Sequence, residues 1–402
     1  MNKLSKLPVE CLVGSFDGPQ QYLPLIPYAP VVIDFLAALS KRLFSNQKIR
    51  EYPDIAAFAY WCRRANITRI SKSWDKKSFR LGRGTVLHIA PSNVPVNFAF
   101  SLAFGLLAGN ANIVRISSEK HDQVLIICEE IKSLIEKPEY QKISGMIKIV
   151  SYQRDDAITS RLSKSCDARV LWGGNATVNH LKTMPTSPRC VDISFADRYS
   201  LCILSAEAIL VADDKAVDSL VSGFYNDVFL LDQNACSSPH LVLWQGGEKE
   251  ISSAMERFWT RLSEFISFKS PPPAIHFLDR YTHLCANAIE LAQYAPKNTD
   301  RSYVYRTLLT LIPENIASFR GRYGYFFEAV DNDLKKFQAI VGKQYQTITY
   351  YGVDPTSIIK VINACGLSGI DRVVPVGKAL NIGVVWDGYD IIGTLSRIIN
   401  VE

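Results

Sequence analysis

From Thr85 to about residue 182 short apolar runs alternate regularly with amphipathic stretches. TVLHIA, ANIVRIS, MIKIVSY and ARVLWGG each read as a buried strand. Between them lie PSNVPVNFAFSLAFGLLAGN, which reads as a loop and then a helix, and VLIICEEIKSLIEK and DDAITSRLSKSC, which read as helices. Pro95 falls near the start of the first helix, Gly109 at its C-terminal cap, and Pro138 closes the second. Strands alternating with helices predict a parallel sheet covered on both faces, an α/β fold. Ligands of such sheets sit beyond the carboxyl ends of the strands, so the residues that follow each run are the first places to look for function.

Length and composition narrow the rest. At ~150 residues per domain, 402 residues allow two or three domains, and a 48% hydrophobic, 21% charged chain excludes wholesale disorder and coiled coil. The net charge of +6 is spread along the chain, which argues against a dedicated nucleic-acid binder. Nine cysteines, with no CxxC pair, argue against a disulfide framework or a zinc site and for a reducing compartment. The N-terminus carries Lys3 and Lys6 without a clear secretory signal. The most apolar run, Phe98 to Ala108, is about half the ~20 residues a membrane span needs. A cytoplasmic protein without a membrane span is the expectation.

The N-terminal stretch holds helical patches (VVIDFLAALSKRLF and DIAAFAYWCRRAN), followed by a basic cluster of Lys72, Lys76, Lys77, Arg80 and Arg83. That cluster reads as a solvated edge ahead of a strand or as a contact for a nucleotide phosphate. The alternation loosens in DISFADRYSLCILSAEAILVADD, which places a domain change near residue 200. Beyond it, KAVDSLVSGFYNDVFLLD reads as a helix, and LDQNACSSPHLVLW as a loop entering a strand. Helices follow at 249–266 and 282–294 around Pro271, Pro272 and Pro273, then a strand-like YQTITYYGV and a helical PTSIIKVINAC. No GxGxxG, GxSxG, P-loop or HExxH string is present.

Three segments resemble the aldehyde dehydrogenase superfamily and, within it, the acyl-CoA reductase (LuxC) branch. They are LGRGTVLHIAPSNVPVNFAFSLAFGLLAGNANIVRISS at 81–118, LDQNACSSPH at 231–240, and DRVVPVGKALNIGVVWDGYDIIGTLSR at 371–397. The resemblance implies a parallel-sheet nucleotide-binding domain, residues 1–200 with the N-terminal helices, and an α/β catalytic domain, residues 201–402, whose tail packs back near the active site.

It also implies roles. Cys236 is the acyl-accepting nucleophile, as a thiolate suits thioester formation. Asn93 donates its side-chain amide to the oxyanion, with a helix cap as the alternative reading. Arg115 and Ser117, ending the second strand, meet the adenosine ribose. Arg115 is either a 2′-phosphate partner, which favours NADPH over NADH, or an ordinary strand-end arginine. Gly173, Gly174 and Asn175 face the pyrophosphate at a helix start. His240 tunes the thiol, shuttles a proton or packs at a strand start. Glu328 and Gln344 are candidates for holding the nicotinamide ribose.

Hydrolytic members of the superfamily use a glutamate about where DISFADRYS stands. That segment has only Asp192 and Asp197. The expectation is therefore an acyl-CoA or acyl-protein thioester reductase that releases aldehyde, homo-oligomeric, with an acyl-protein synthetase as a further partner. The alternatives are an NAD-dependent dehydrogenase making free acid and a non-catalytic scaffold for acyl activation.

Overall fold

A computed structural model describes residues 7–17, 22–74, 78–119, 121–269, 272–294, 297–301 and 303–402. Lys3, Lys6, Lys76, Lys77 and Pro271 of the sequence reading lie outside the described residues. The chain forms two compact units: residues up to Ala196 together with Val384–Glu402, and Asp197–Gly383. The division expected at residue 200 falls after Ala196, and the C-terminal segment belongs to the first unit rather than to a continuous domain 201–402.

In the first unit the main sheet comprises β1 (Glu10–Val13), β3 (Thr85–Ile89), β4 (Ala111–Ile116), β5 (Ile147–Ser151), β6 (Ala168–Trp172) and β7 (Val191–Phe195), while β2 (Phe79–Gly82) stands apart from it. The strand order is β1-β5-β4-β3-β6-β7, parallel except for the antiparallel edge strand β1. The four runs read as strands from sequence are β3 to β6, buried along almost their whole length. Continuous apolar runs of this kind are what a sheet covered on both faces demands. The order reverses direction between β3 and β6, a topological switch point.

The helix Asn97–Leu107 is buried nearly all round, which explains its membrane-like composition; at ~1.5 Å per residue it is about half the length of a span. It begins after Pro95 and not around it, and Gly109 beyond its end has φ +86°, the left-handed cap the sequence suggests. Under the sheet lies a buried polar network. His88 on β3 bonds Ser101 (2.7 Å) and Asn112 (3.0 Å), and Trp172 Nε1 donates to Ser101 (3.1 Å). Burial holds the His88 imidazole down to about 4, against the Asn112 bond, which raises it. The DIAAFAYWCRRAN patch is broken into helices Pro53–Trp61 and Arg64–Lys72, the break held by Asn66 Nδ2 donating to the Trp61 carbonyl (2.8 Å).

The second unit is built on β8 (Tyr199–Ser205), β9 (Pro239–Gln245), β10 (Lys297–Arg301), β11 (Val304–Leu308), β12 (Tyr325–Val330), β13 (Tyr345–Tyr351) and β14 (Arg372–Pro375). Its order is β10-β11-β12-β9-β8-β13-β14, parallel apart from the β10–β11 pair. Apolar cores form around Phe224, Trp244, Phe258 and Trp259, and around Leu241, Phe327, Phe337 and Ile348. The helix Pro355–Cys365 follows the rules for its ends: Asp354 accepts from Thr356 N (2.9 Å), Pro355 opens it, and Gly366 closes it at φ +57°.

The C-terminal segment returns to the first unit. β15 (Val385–Trp386) and β16 (Tyr389–Asp390) form a hairpin whose Asp387-Gly388 turn has positive φ at both positions, as a two-residue hairpin turn requires. β17 (Ser396–Ile399) pairs antiparallel with β2. Arg80 reaches the Gly393 carbonyl (3.1 Å) and Ser396 Oγ (3.2 Å), and Arg83 the Thr394 carbonyl (2.6 Å). These two arginines of the basic cluster therefore fasten the C-terminal segment, where the sequence had suggested a solvated edge or a phosphate contact.

Candidate active site

Cys236 stands half-buried in the loop between the helix Asp214–Val228 with its short 3-10 extension and the start of β9. Its neighbours are fixed. Asp232 and Gln233 take consecutive left-handed conformations (φ +50° and +61°), reversing the chain after the helix. The buried Gln233 side chain donates to the carbonyls of Pro239 (3.0 Å) and Tyr325 (3.2 Å) and accepts from the amides of Gly324 (2.9 Å) and Tyr325 (3.3 Å). Ser200 Oγ donates to the Cys236 carbonyl at 2.6 Å, and Ser238 Oγ to the Asp227 carbonyl at 2.6 Å. The loop backbone is thus set by buried hydrogen bonds, and Cys236 itself is half-buried.

Asp227 joins two of the three resembling segments. Its carbonyl holds Ser238, and its carboxylate accepts from Gly377 N (2.6 Å) and Ala379 N (2.9 Å). Burial pushes its carboxyl up to about 6, opposed by those two amides and by Arg372 and Lys378. Gly377, at φ +90°, lies so close to Gly223 that a Cβ there would sit 3.0 Å from the Gly223 Cα. Neither Gln233, Ser200 nor Asp227 was singled out from sequence. The one available signal was the density of small and amide residues in DQNACSS.

His240, on β9, is 3% exposed and stacks on Tyr199 with ring centroids 5.5 Å apart. Burial, reinforced by Arg320 and Arg322, holds it neutral, down to about 3. Glu328 on β12 is fully enclosed: its carboxylate accepts from the indoles of Trp244 (2.9 Å) and Trp259 (2.8 Å) and from Arg306 (3.1 Å). That set occupies the group proposed from sequence for a ribose. Gln344 is exposed, its carbonyl accepting from Tyr199 N (2.8 Å).

In the first unit the remaining predicted residues lie at or beyond the carboxyl ends of β3, β4 and β6, around the switch point. Asn93 is exposed in the loop after β3. It is not the helix cap, since that position is Val96. Arg115 is half-buried on β4, donates to the Tyr152 carbonyl (3.2 Å) and lies 5.4 Å from the Tyr152 ring centroid. Ser117 Oγ accepts from Glu119 N at 3.2 Å. Gly174 is the exposed N-cap of the helix Asn175–Lys182, which it starts without a side-chain cap. Nothing lies within 4 Å of where a Gly174 Cβ would stand, whereas Gly173 donates to the Phe195 carbonyl at 3.1 Å. A cation, a hydroxyl and an uncapped helix start at one edge of the sheet suit a dinucleotide phosphate.

The two carboxylates of the 191–199 segment are each engaged within their own unit. Asp192 is held by Arg169 through bonds of 2.8 and 2.6 Å, and Asp197 by Arg320 through two of 2.6 Å. Among the described residues no group of three or more His, Cys, Asp or Glu is placed to hold a metal ion, and no helix is long and apolar enough to cross a membrane. A groove of about 840 Å³ around Val31, Asp34, Lys41, Arg63 and Tyr140 contains none of the predicted site residues.

The fold is that of the aldehyde dehydrogenases. A NAD-dependent benzaldehyde dehydrogenase from Corynebacterium glutamicum matches with a TM-score of 0.61, covering 92% of this chain and 84% of that one at 11% identity. A 1-pyrroline-5-carboxylate dehydrogenase from Thermus thermophilus matches at 0.61, over 95% and 81%, at 12% identity. At these identities the likeness concerns the fold alone. The sequence is more specific: the family model described as acyl-CoA reductase (LuxC) matches residues 63–268, just over half of the chain, and the chain belongs to that family. It is similar to the long-chain acyl-protein thioester reductases of Photorhabdus laumondii (23% identical, 79% of this chain, 63% of that protein) and Vibrio harveyi (26%, 42% of this chain, 33% of that protein). The chain thus spans less than two thirds of the length of these relatives.

Proposed function

We propose that the chain is an acyl-thioester reductase that forms an aldehyde through an acyl group carried on Cys236. The observation that carries this reading is the family match over 63–268, which spans both Asn93 and Cys236. Cys236 accepts the acyl group from acyl-CoA or an acyl-protein thioester, releasing the original thiolate, and departs again as the aldehyde forms. Asn93 donates its amide to the carbonyl oxygen as negative charge develops there. A nicotinamide dinucleotide, held by Arg115, Ser117, Gly173, Gly174 and Asn175, supplies the hydride; the Arg115 guanidinium favours NADPH, with NADH as the alternative. His240, neutral and enclosed, packs the strand start and moves no proton.

A dehydrogenase that forms free acid needs a base to activate water. The pairing of Asp192 with Arg169 and of Asp197 with Arg320 supports reduction over hydrolysis. The reading further includes a homo-oligomer, a cytoplasmic setting and an acyl-protein synthetase as partner.

The test follows NADPH consumption and aldehyde formation with acyl-CoAs of graded chain length, using Cys236→Ala and Asn93→Ala. Cys236→Ala is expected to abolish turnover and Asn93→Ala to lower kcat by ~10²–10³. Wild-type rates in Cys236→Ala refute the assignment, and acid as the sole product with NAD establishes the dehydrogenase instead.

A further inference from the structure

Outside the proposed site, two thiols meet at the starts of adjacent strands. Cys166 precedes β6 and Cys190 precedes β7. These strands run parallel with Ala168 opposite Val191, so Asp167 stands opposite Cys190 and Cys166 one residue further back. Both cysteines lie in the turns that lead into these strands and not in the strands themselves, so their side chains are not bound to the alternation of a strand. The backbones are tied by Val191 N donating to the Asp167 carbonyl (3.2 Å) and Ser187 Oγ to the Cys166 carbonyl (3.4 Å). The Cys190 side chain packs against the core that contains Cys166, and the two thiols hydrogen-bond each other.

The two thiols differ in the way a redox pair requires. Cys166 is 1% exposed, and its sulfur lies 3.1 Å from the Ser163 carbonyl oxygen, the alternative acceptor for its one S–H. Cys190 is half-buried and so within reach of a small oxidant. The bond from Cys166, helped by the Arg169 guanidinium, lowers the Cys190 thiol and outweighs its burial and the nearby Asp192 and Asp167. The accessible sulfur is therefore also the better nucleophile, and the enclosed one is placed to resolve.

We propose that Cys166 and Cys190 form a redox-active dithiol that a low-molecular-weight disulfide, such as oxidised glutathione, converts to an intrachain disulfide. The Cys190 thiolate attacks one glutathione sulfur and expels a glutathione thiolate. Cys166 then loses its proton and attacks the Cys190 sulfur, expelling the second. The protein loses two hydrogens as one oxidised glutathione becomes two reduced ones. The closed loop, 166–190, contains Gly173, Gly174 and the helix Asn175–Lys182. Oxidation thus clamps the segment proposed to hold the dinucleotide, while the chemistry of the pair stands whether or not Cys236 is the nucleophile.

The experiment treats the native full chain with excess oxidised glutathione, blocks remaining thiols with N-ethylmaleimide, and digests with trypsin. The expected product is the peptide Ser165–Arg169 disulfide-linked to Cys190–Arg198, absent in Cys190→Ser and reversed by dithiothreitol. The oxidised protein is expected to melt roughly 5–10 °C higher. Recovery of both peptides alkylated, or of Cys190 stopped at the glutathione adduct in the wild type, overturns the proposal. Cys236 reports separately on its own peptide, so failure here leaves the reductase reading untouched.

Discussion

The Ser200 hydroxyl donates to the carbonyl of Cys236 at 2.6 Å and accepts the Thr347 amide at 3.1 Å, so one fully buried side chain on β8 ties the proposed nucleophile loop to β13. Removing it strands a donor and an acceptor at once. Ser200→Ala is expected to cost about 1–3 kcal/mol of stability. It is also expected to slow iodoacetamide modification of Cys236 in the folded protein. A variant with wild-type melting and wild-type Cys236 alkylation would show that the loop holds its shape without this contact.

Gln233 carries a heavier load, since both ends of its amide are used: the nitrogen on two carbonyls and the oxygen on two amides. Gln233→Leu keeps approximate size but leaves buried polar groups without partners, and is expected to destabilise by about 3 kcal/mol or more. Gln233→Glu retains an acceptor for Gly324 and Tyr325 but opposes a carboxylate to two carbonyls, and is expected to be no milder. Urea titrations of the two variants provide the comparison. A Leu variant within about 0.5 kcal/mol of wild type, the usual range for an unimportant site, contradicts the structural role.

These two residues mark where sequence reading stops. The core strands of the first unit were legible because β3 to β6 are buried on both faces and so read as mostly apolar runs despite enclosed polar residues such as His88 and Asn112. The helix Pro355–Cys365 was legible because its caps are written locally. Cys236 and Asn93 came from segment resemblance, not from periodicity. The pairing of β17 with β2 was not legible, because it joins segments about three hundred residues apart and rests on Arg80, Arg83 and Asn110 reaching backbone carbonyls. Glu328 likewise came from the resemblance, as a candidate ribose ligand, and its partners in the fold come from β9, β11 and the helix Glu248–Lys269, which no local pattern announces.

Glu328 and Arg306 form an ion pair almost wholly out of water, with two indole donors completing the carboxylate. Removing one partner of such a pair strands a charge. Glu328→Ala is therefore expected to destabilise by about 3–5 kcal/mol. The paired change Glu328→Gln with Arg306→Met removes both charges and is expected to recover much of that loss. Denaturant unfolding of the single and double variants gives the coupling directly. Additive losses would show that the pair is not the unit that matters.

Two buried histidines and one buried carboxyl set opposing pH dependences. His88 is held down to about 4 and His240 to about 3, from an ordinary 6.5. Unfolding therefore takes up protons below pH 6.5, and the stability these residues contribute above that pH drains away as pH falls towards 4 and 3. Asp227, raised from 3.8 to about 6, acts the other way: the folded state binds the proton first, so its contribution favours the low side of that window. Two groups against one leave a net loss on the order of 2–3 kcal/mol between pH 7 and pH 5. Chemical denaturation across this range tests it. His88→Asn should flatten the slope, and a profile that rises on acidification would overturn the assignment of buried neutral imidazoles.

Gly174 allows a test of the proposed dinucleotide loop that stability alone cannot confuse. Its backbone (φ −65°, ψ 161°) is open to any residue, it is exposed, and a Cβ there would meet nothing within 4 Å. Nothing inside the protein therefore requires glycine. Gly174→Ala is expected to melt within about 1 °C of wild type, as exposed substitutions without special geometry usually do. If a pyrophosphate approaches the start of this helix closely, the added methyl intrudes on it, and the Kd for NADPH should rise by roughly tenfold, a loss of ~1.4 kcal/mol. Fluorescence titration of the reduced dinucleotide into both proteins measures this. Equal affinities would move the phosphate elsewhere along the β3, β4 and β6 edge, leaving Arg115 and Ser117 as the residues to vary next.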